Sequence, residues 1–216
     1  TIFDSMMIKK ESVNDMLKKA IVIGCAMLAA ACLSACGNDT PSAPAKAGSD
    51  TSHQEAKGEK GKSLVVYFSA TGNTKRASEI IARETGSTLF EIQPQQPYTQ
   101  DDLDYLDDGS RSVKEHEDPT IRPAIENEVA EWDSYETIFL GYPIWWGEAP
   151  NIVYTFVENH DFTGKRVIPF CTSASSGVGV SDEHLAKAAG KGNWLGGTRF
   201  SGGISEKDLV DWAKKY

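Results

Sequence analysis

Residues 62–216 are predicted to form a three-layer, doubly wound α/β domain, in which helices cover both faces of a five-stranded parallel sheet. Two observations predict this fold class. Short uninterrupted apolar runs, typical of strands buried on both faces, alternate along the chain with segments of helical periodicity. The composition, with 40% hydrophobic and 25% charged residues, is that of an ordinary globular protein. Alternation of this kind produces right-handed βαβ units and a parallel sheet.

The predicted strands cover residues 64–68, 88–92, 137–141, 166–171 and 193–200. Helical periodicity follows the first strand and ends at Gly86, a residue suited to a helix C-terminus. A second helix is expected over residues 123–132, and three more begin near residues 150, 182 and 205. Pro169 lies inside the fourth strand, where a proline cannot donate to the ladder, so a local bulge is expected there.

The N-terminal part of the chain is predicted to be a targeting signal. From Met16, two lysines precede an uncharged, apolar run over residues 20–36 that is shorter than the ~20 residues of a membrane-spanning helix. Its end, Leu-Ser-Ala-Cys, resembles the bacterial lipoprotein box, which implies cleavage before Cys36, lipidation of its sulfur and anchoring on the extracytoplasmic side of a bacterial membrane. An uncleaved anchor or a buried helix is the alternative. Residues 1–15 fit no part of this signal.

Between this segment, residues 1–36, and the domain lies a stretch with the composition of a disordered tether. Residues 37–61 contain no valine, leucine, isoleucine or aromatic residue, so they cannot bury enough apolar surface to offset the entropy of ordering. A flexible chain of this length reaches roughly 25–30 Å. The domain is therefore expected to stand off from the membrane.

The net charge of −9 limits the classes of partner. An acidic surface repels the phosphates of nucleic acids and anionic lipid headgroups, so neither is expected to bind the domain directly. A protein partner with a basic surface is expected instead.

The loop after the first predicted strand has the properties of a phosphate-binding site. It is rich in hydroxyl and amide groups and leads directly into a helix, whose free N–H groups and dipole favour an anion. It is not a P-loop, because the lysine of that motif is absent. A plain helix N-cap is the alternative. The candidate residues are Ser69, Ala70, Thr71, Gly72, Asn73 and Thr74.

Two further loops follow the third and fourth predicted strands, at the same edge of the sheet. The first contains adjacent tryptophans, whose side chains point different ways on an extended loop, so a flat aromatic ligand gives at least one of them a stacking partner. The second is small, hydroxylated and glycine-rich. The candidates in the first are Pro143, Ile144, Trp145, Trp146 and Gly147, and those in the second are Thr172, Ser173, Ser175, Gly177 and Gly179.

These three loops together resemble those of the flavodoxin family, and the resemblance covers residues 63–216. It implies a sheet of order 2-1-3-4-5 and FMN as the cofactor. It places the phosphate at residues 69–74 and the isoalloxazine ring between residues 143–147 and 172–179, with a peptide at Gly147 that can reorient towards the ring. The third loop lacks the aromatic residue with which many flavodoxins cover the outer face of the flavin. That face is either open or covered by Tyr98 or Tyr105, and residues 101–118 are expected to be a solvated surface excursion.

We expect an electron carrier that serves a redox protein. An NAD(P)H-dependent reductase of quinones or similar acceptors is the first alternative, and a non-redox module that binds a phosphorylated ligand is the second. A hydrolase is disfavoured because Ser175 and Ser176 lack the elbow motif of a nucleophilic serine. No catalytic residue and no metal site is predicted.

Overall fold

The computed structural model describes residues 61–216. The predicted lipidation site at Cys36, the signal segment and nearly all of the predicted tether lie outside the described residues. Within residues 61–216, no helix is both long enough and apolar enough to cross a membrane.

The described residues form six strands and five α-helices. The strands are β1 (Lys62–Tyr67), β2 (Thr88–Glu91), β3 (Tyr135–Pro143), β4 (Arg166–Ser173), β5 (Asn193–Trp194) and β6 (Thr198–Ser201). The helices are α1 (Asn73–Thr85), α2 (Arg111–Glu117), α3 (Asn151–Glu158), α4 (Ser181–Ala189) and α5 (Glu206–Ala213). Two short 3₁₀ turns cover Asp101–Leu103 and Trp132–Ser134.

All strand pairs in the sheet are parallel, and the strand order is β2-β1-β3-β4, with β5 and β6 both beside β4. The fifth position of the sheet is therefore shared by two short strands. This arrangement confirms the predicted fold class and the order 2-1-3-4-5. The carboxyl ends of β1, β3 and β4 meet at one edge, where the three candidate loops begin.

Side chains that alternate along the strands form two separate apolar layers. On one face, Leu64 of β1 packs in the layer beneath α3 and α4, to which Phe156 and Leu185 contribute. On the other face, the neighbouring Val65 packs in the layer beneath α1 and α5. Helices thus cover both sides of the sheet, which explains why the central parts of β1, β3 and β4 are apolar and buried.

Pro169 is accommodated in a different way from the predicted bulge. The register between β3 and β4 is continuous, with Leu140 opposite Pro169. On its other side, β4 pairs with β5 only at residues 166 and 167 and with β6 only at residues 170–173. The fifth strand, predicted to be continuous over residues 193–200, is therefore split opposite the proline, where a backbone donor is missing.

The helix predicted over residues 123–132 is not formed. Ile125 instead makes an isolated antiparallel bridge with Pro94, in the chain that leaves β2. The backbone N–H of Glu126 donates to the carbonyl of Gln93 at 2.8 Å, and the side chain of Asn127 bonds both to the N–H of Gln93 and to the carbonyl of Glu91. The segment is extended because its backbone groups find partners in the chain that leaves β2.

Residues 101–118 are largely exposed, as expected of a surface excursion, but their second half forms α2, which packs inward. Ser110 begins this helix by accepting a hydrogen bond from the N–H of Val113. Val113 and Glu115 are buried against the domain. The carboxylate of Glu115 is neutralised by Arg111 one turn earlier, which allows an acidic segment to pack inward.

Candidate functional site

A cavity of about 420 Å³, called here the smaller cavity, lies where the three loops meet. It is bordered by the loops after β1, β3 and β4, by α2 and by the segment before α2. Its lining residues are Ala70, Thr71, Leu103, Tyr105, Ser112, Ile144, Trp145, Trp146, Ser175 and Ser176. The structure thus brings together parts of all three predicted loops at the carboxyl edge of a parallel sheet, the usual ligand position in such folds.

The loop after β1 presents free backbone donors at the start of α1. The first backbone bond of that helix runs from the N–H of Arg76 to the carbonyl of Gly72, so the N–H groups of Asn73, Thr74 and Lys75 have no acceptor within residues 61–216. Gly72 adopts a left-handed conformation, with φ of 88°, and its N–H donates to Ser69 Oγ at 3.1 Å. This geometry fits an anion such as a phosphate.

A buried hydroxyl pair joins this loop to the loop after β4. The Oγ1 atoms of Thr74 and Thr172 are 2.8 Å apart, and both side chains are buried. These two predicted ligands therefore hold the loops in position relative to each other. Asn73 lies at the opposite side of the loop, with its Oδ1 beside Gly202.

The tryptophan loop closes in a tight turn over residues 145–148. The N–H groups of Trp145 and Glu148 each donate to the other's carbonyl at 2.9 Å, and the central residues, Trp146 and Gly147, have positive φ values of 48° and 86°. Positive φ at both central positions is characteristic of a type I′ turn. Gly147 tolerates this conformation easily, whereas Trp146 adopts it at a cost of ~1–2 kcal/mol.

The two tryptophans point in different directions. Trp145 packs inward against Phe68 and Tyr98, with ring centroids 5.8 and 5.4 Å away. Trp146 is 40% exposed and stacks on His116, with centroids 4.9 Å apart and the planes 10° from parallel. Trp145 and Trp146 together are called here the indole wall. The ring of Trp145 is embedded in the domain, and the ring of Trp146 lies at its surface.

Tyr98 is fixed against this wall and does not line the smaller cavity. Its hydroxyl donates to Glu115 at 2.7 Å, and burial together with this bond raises the pKa of Tyr98. Tyr105 does line the cavity and is 70% exposed. Of the two tyrosines considered for the outer face, Tyr105 is therefore the one at the rim.

The loop after β4 is held by a residue that the sequence analysis did not identify. Arg199 of β6 donates to Ser173 Oγ at 3.0 Å and to the carbonyls of Ser173 and Ala174 at 2.9 Å each. Ser173 Oγ also donates to the carbonyl of Ser176. The residues next to Arg199 in the sequence do not indicate that it holds this loop, because the contact forms only when β6 pairs with β4.

The sixteen predicted cofactor residues divide into two groups. Those that border the smaller cavity are Ala70, Thr71, Ile144, Trp145, Trp146 and Ser175. Those that are not part of its lining are Ser69, Gly72, Asn73, Thr74, Pro143, Gly147, Thr172, Ser173, Gly177 and Gly179. The second and third loops touch where Gly179 faces the carbonyl of Gly147. Leu103, Tyr105 and Ser112 border the cavity from the segment that was expected to be a surface excursion.

The arrangement offers anion-binding donors at one end and aromatic surface at the other. Burial raises the pKa of the Cys171 thiol, at the end of β4, to about 12, so this cysteine is uncharged at neutral pH. Residues 61–216 contain no cluster of three or more metal-ligating side chains. The donor set therefore fits a phosphorylated, flat aromatic molecule.

Residues 62–216 match the model of the flavodoxin family. The chain belongs to this family. Family membership supports FMN as the cofactor, as expected from the sequence. No curated protein matches the chain significantly.

Among solved structures, a candidate flavoprotein from Bacteroides eggerthii is 43% identical, with a TM-score of 0.67, over 72% of this chain and 97% of its own. A candidate flavoprotein from Bacteroides uniformis is 44% identical, with a TM-score of 0.68, over 71% of this chain and 98% of its own. A flavoprotein from Lactobacillus acidophilus, solved in complex with FMN, is 24% identical, with a TM-score of 0.55, over 71% of this chain and 99% of its own, and shows the shared fold.

Proposed function

We propose that this flavodoxin-family protein binds FMN in the smaller cavity and carries electrons to a redox protein with a basic surface. The observation on which the proposal rests is the convergence of three loops on one cavity, with unbonded N–H groups of α1 beside it and the indole wall within it. This combination matches the two chemically different halves of FMN, a phosphate and a flat ring.

The N–H groups at the start of α1 and the hydroxyl of Thr71 would hold the phosphate. Trp145 and Trp146 would border the ring, and Tyr105 would cover its outer face from the rim. Bound FMN supplies the redox chemistry, while the protein supplies binding, orientation and the electrostatic environment. The Thr74–Thr172 bond would keep the two sides of the site at a fixed separation.

The proposed partner is inferred from charge. Residues 1–61 contain equal numbers of acidic and basic side chains, so the entire net charge of −9 belongs to the domain. Such a surface attracts a basic protein at long range and increases the rate of encounter. The rate of electron transfer to a basic acceptor such as cytochrome c is therefore expected to fall as ionic strength rises.

The FMN proposal is tested with residues 62–216. The Bacteroides structures consist almost entirely of the matching region, which supports the use of this part alone. The purified protein should show a flavin absorbance spectrum, or should take up FMN much more tightly than riboflavin. Absence of flavin together with no uptake of FMN would contradict the proposal.

A pair of threonine variants tests the phosphate contact. Thr71→Val removes a hydroxyl that lines the smaller cavity, whereas Thr88→Val changes an exposed position on β2. Thr71→Val should weaken FMN binding about tenfold, as expected for loss of a hydrogen bond to a charged group, and should leave riboflavin binding unchanged. Thr88→Val should change neither affinity. Equal losses for FMN and riboflavin would place the phosphate elsewhere.

The carrier and reductase alternatives are separated by an assay of turnover. The FMN-loaded protein is mixed with NADH or NADPH and a soluble quinone, and oxidation of the nicotinamide is followed by absorbance. A carrier oxidises neither nucleotide catalytically but exchanges electrons with a basic redox protein. Sustained turnover would favour the reductase alternative.

The proposal extends to the position of the protein in the cell, through the lipoprotein-like sequence that ends at Cys36. Cys36→Ser should move the full chain, expressed in a bacterial host, from the detergent phase to the aqueous phase in a partition experiment. Cys32→Ser is the matched control, since it removes a nearby cysteine of the same apolar run, and it should stay in the detergent phase. Equal partitioning of the two variants would contradict lipidation at Cys36.

A further inference from the structure

A second cavity of about 580 Å³, called here the larger cavity, lies beside the smaller one. It lies between α2, α3 and α4, and it shares only Ser112, Trp145 and Trp146 with the smaller cavity. It has no lining residue from the loops after β1 or β4. A molecule in the larger cavity would therefore contact the indole wall without contacting the candidate phosphate site.

Aromatic residues form part of the lining of the larger cavity. Trp145, Trp146 and Tyr154 present aromatic rings to it, and His116 stacks on Trp146. Its volume is within the usual range for small-molecule sites. Rings of this kind favour a planar ligand, which can stack with little loss of conformational entropy.

Three carboxylates line the larger cavity, and each is already bonded. Glu115 accepts from Tyr98 and Arg111, and Arg122 binds both oxygens of Glu158 at 2.7 and 2.8 Å. The carboxylate of Glu148 accepts a hydrogen bond from the hydroxyl of Tyr154 at 3.2 Å, and its other oxygen lies 2.9 Å from Nδ1 of His184. Arg111 and Arg122 offset the negative charges of Glu115 and Glu158, whereas Glu148 keeps its charge beside the neutral hydroxyl of Tyr154.

Lys187 and Ser112 are among the lining side chains that have no hydrogen-bond or ion-pair partner within residues 61–216. Lys187 of α4 makes no ion pair or side-chain hydrogen bond there. Ser112 of α2 is 2% exposed, and its Oγ is buried without any hydrogen-bond partner. Both groups can donate. A buried hydroxyl without a partner is destabilising, and a ligand with an acceptor atom would supply the missing hydrogen bond.

We infer that the larger cavity is a second ligand site, and that it binds a planar aromatic anion next to the flavin site. The aromatic lining favours the ring, and the donors Lys187 and Ser112 favour an anionic or hydrogen-bond-accepting group. The inference rests on the proposed function only in assigning FMN to the smaller cavity.

The probe is 2-naphthoate, titrated by calorimetry into residues 62–216 that have been loaded with FMN and checked by absorbance. It should bind at one site while FMN stays bound, and the neutral analogue 2-naphthalenemethanol should bind at least tenfold more weakly. If the protein takes up no FMN, the proposed function fails, and the same titration of the flavin-free protein still tests the larger cavity.

Three variants test whether 2-naphthoate binds in the larger cavity. Lys187→Met should weaken 2-naphthoate binding about tenfold, the effect of losing a charged donor. Lys114→Met, which removes the same charge from an exposed position of α2 outside the lining, should change the affinity less than twofold. Ala188→Phe should fill the cavity and abolish binding, with FMN uptake unchanged.

The inference is overturned by any of three results. The first is that 2-naphthoate does not bind to the FMN-loaded or the flavin-free protein. The second is equal affinity of Lys187→Met, Ala188→Phe and the unaltered protein. The third is release of FMN in proportion to bound 2-naphthoate, which would show that one site holds both molecules.

Discussion

Single residues at the site adopt conformations that local preferences alone would not select. Trp146 has a left-handed backbone and a half-exposed ring, and the next residue, Gly147, is also left-handed. Such conformations persist only where the surroundings enforce them, and they concentrate at ligand sites. The reciprocal backbone bonds of Trp145 and Glu148 provide that enforcement here.

The backbone of this turn gives a first prediction. Gly147→Ala forces a Cβ onto a residue with φ of 86° and should lower the free energy of unfolding by about 1 kcal/mol, measured by urea denaturation. Open space surrounds the new Cβ, so the loss comes from the backbone and not from a clash. Gly196→Ala, also in open space but without positive φ, is the control and should not lower stability. Equal losses would show that the turn carries no strain.

Replacement by alanine should change the free energy of unfolding in opposite directions at two serines of α2, its N-cap Ser110 and the buried Ser112. Ser112→Ala removes a buried hydroxyl that has no partner, so the flavin-free protein should become more stable by about 1 kcal/mol. Ser110→Ala removes the cap that accepts from Val113 and should cost about 1 kcal/mol. Urea denaturation measures both. A loss of stability in Ser112→Ala would show that the hydroxyl has a partner.

At the scale of elements, the loop after β4 depends on β6. Arg199→Met removes three hydrogen bonds to Ser173 and Ala174 and should loosen the loop, weakening FMN binding about tenfold. Arg83→Met is the control, because Arg83 is an exposed residue of α1 that pairs with Glu206 away from the cavity. Fluorescence titration with FMN measures both affinities. Equal affinities would assign Arg199 a role in stability alone.

The strand–helix alternation was predictable because each buried strand is a short apolar run flanked by turn residues. The conformation of residues 123–132 was not predictable from the sequence, since the spacing of Ile125 and Val129 fits either a helix or an extended segment. Their state is decided by backbone bonds to Gln93 and Gln95, which are distant in sequence. The same limit applies to α2: its inward packing depends on the pairing of Glu115 with Arg111 and Tyr98.

The candidate loops were predictable for a related reason. A loop that follows a buried parallel strand must lie at the carboxyl edge, so the sequence alone places Ser69, Trp145 and Ser175 near one another. Tyr105 could be considered only as one of two candidates, because a long connection has no fixed register. The larger cavity left no sequence signal, since α2, α3 and α4 meet only in the folded domain.

At the scale of the whole molecule, a half-buried histidine makes stability depend on pH. Burial lowers the pKa of His160 below its ordinary value, although its bond to the Phe156 carbonyl acts in the opposite direction. Between the lowered pKa and the ordinary one, the unfolded chain binds more protons than the folded domain. The free energy of unfolding should therefore fall as pH decreases from about 7.5 to about 5.5.

This dependence is tested by urea denaturation of the unaltered protein and of His160→Gln at several pH values. The variant lacks the titrating group, so its stability should change less over this interval. It also loses the stacking of His160 on Phe156, which lowers stability equally at every pH and does not affect the slope. Identical slopes would assign the dependence to other groups.

The split opposite Pro169 has a consequence for how copies of this domain meet in concentrated solution. A long, regular outer strand would offer a continuous row of unbonded amides and carbonyls to a neighbouring molecule, which is a common start of aggregation. Here that border consists of two-residue and four-residue strands with glycines between them, so a neighbour finds no continuous template. A proline that interrupts the ladder thus also protects the domain against sheet-to-sheet association.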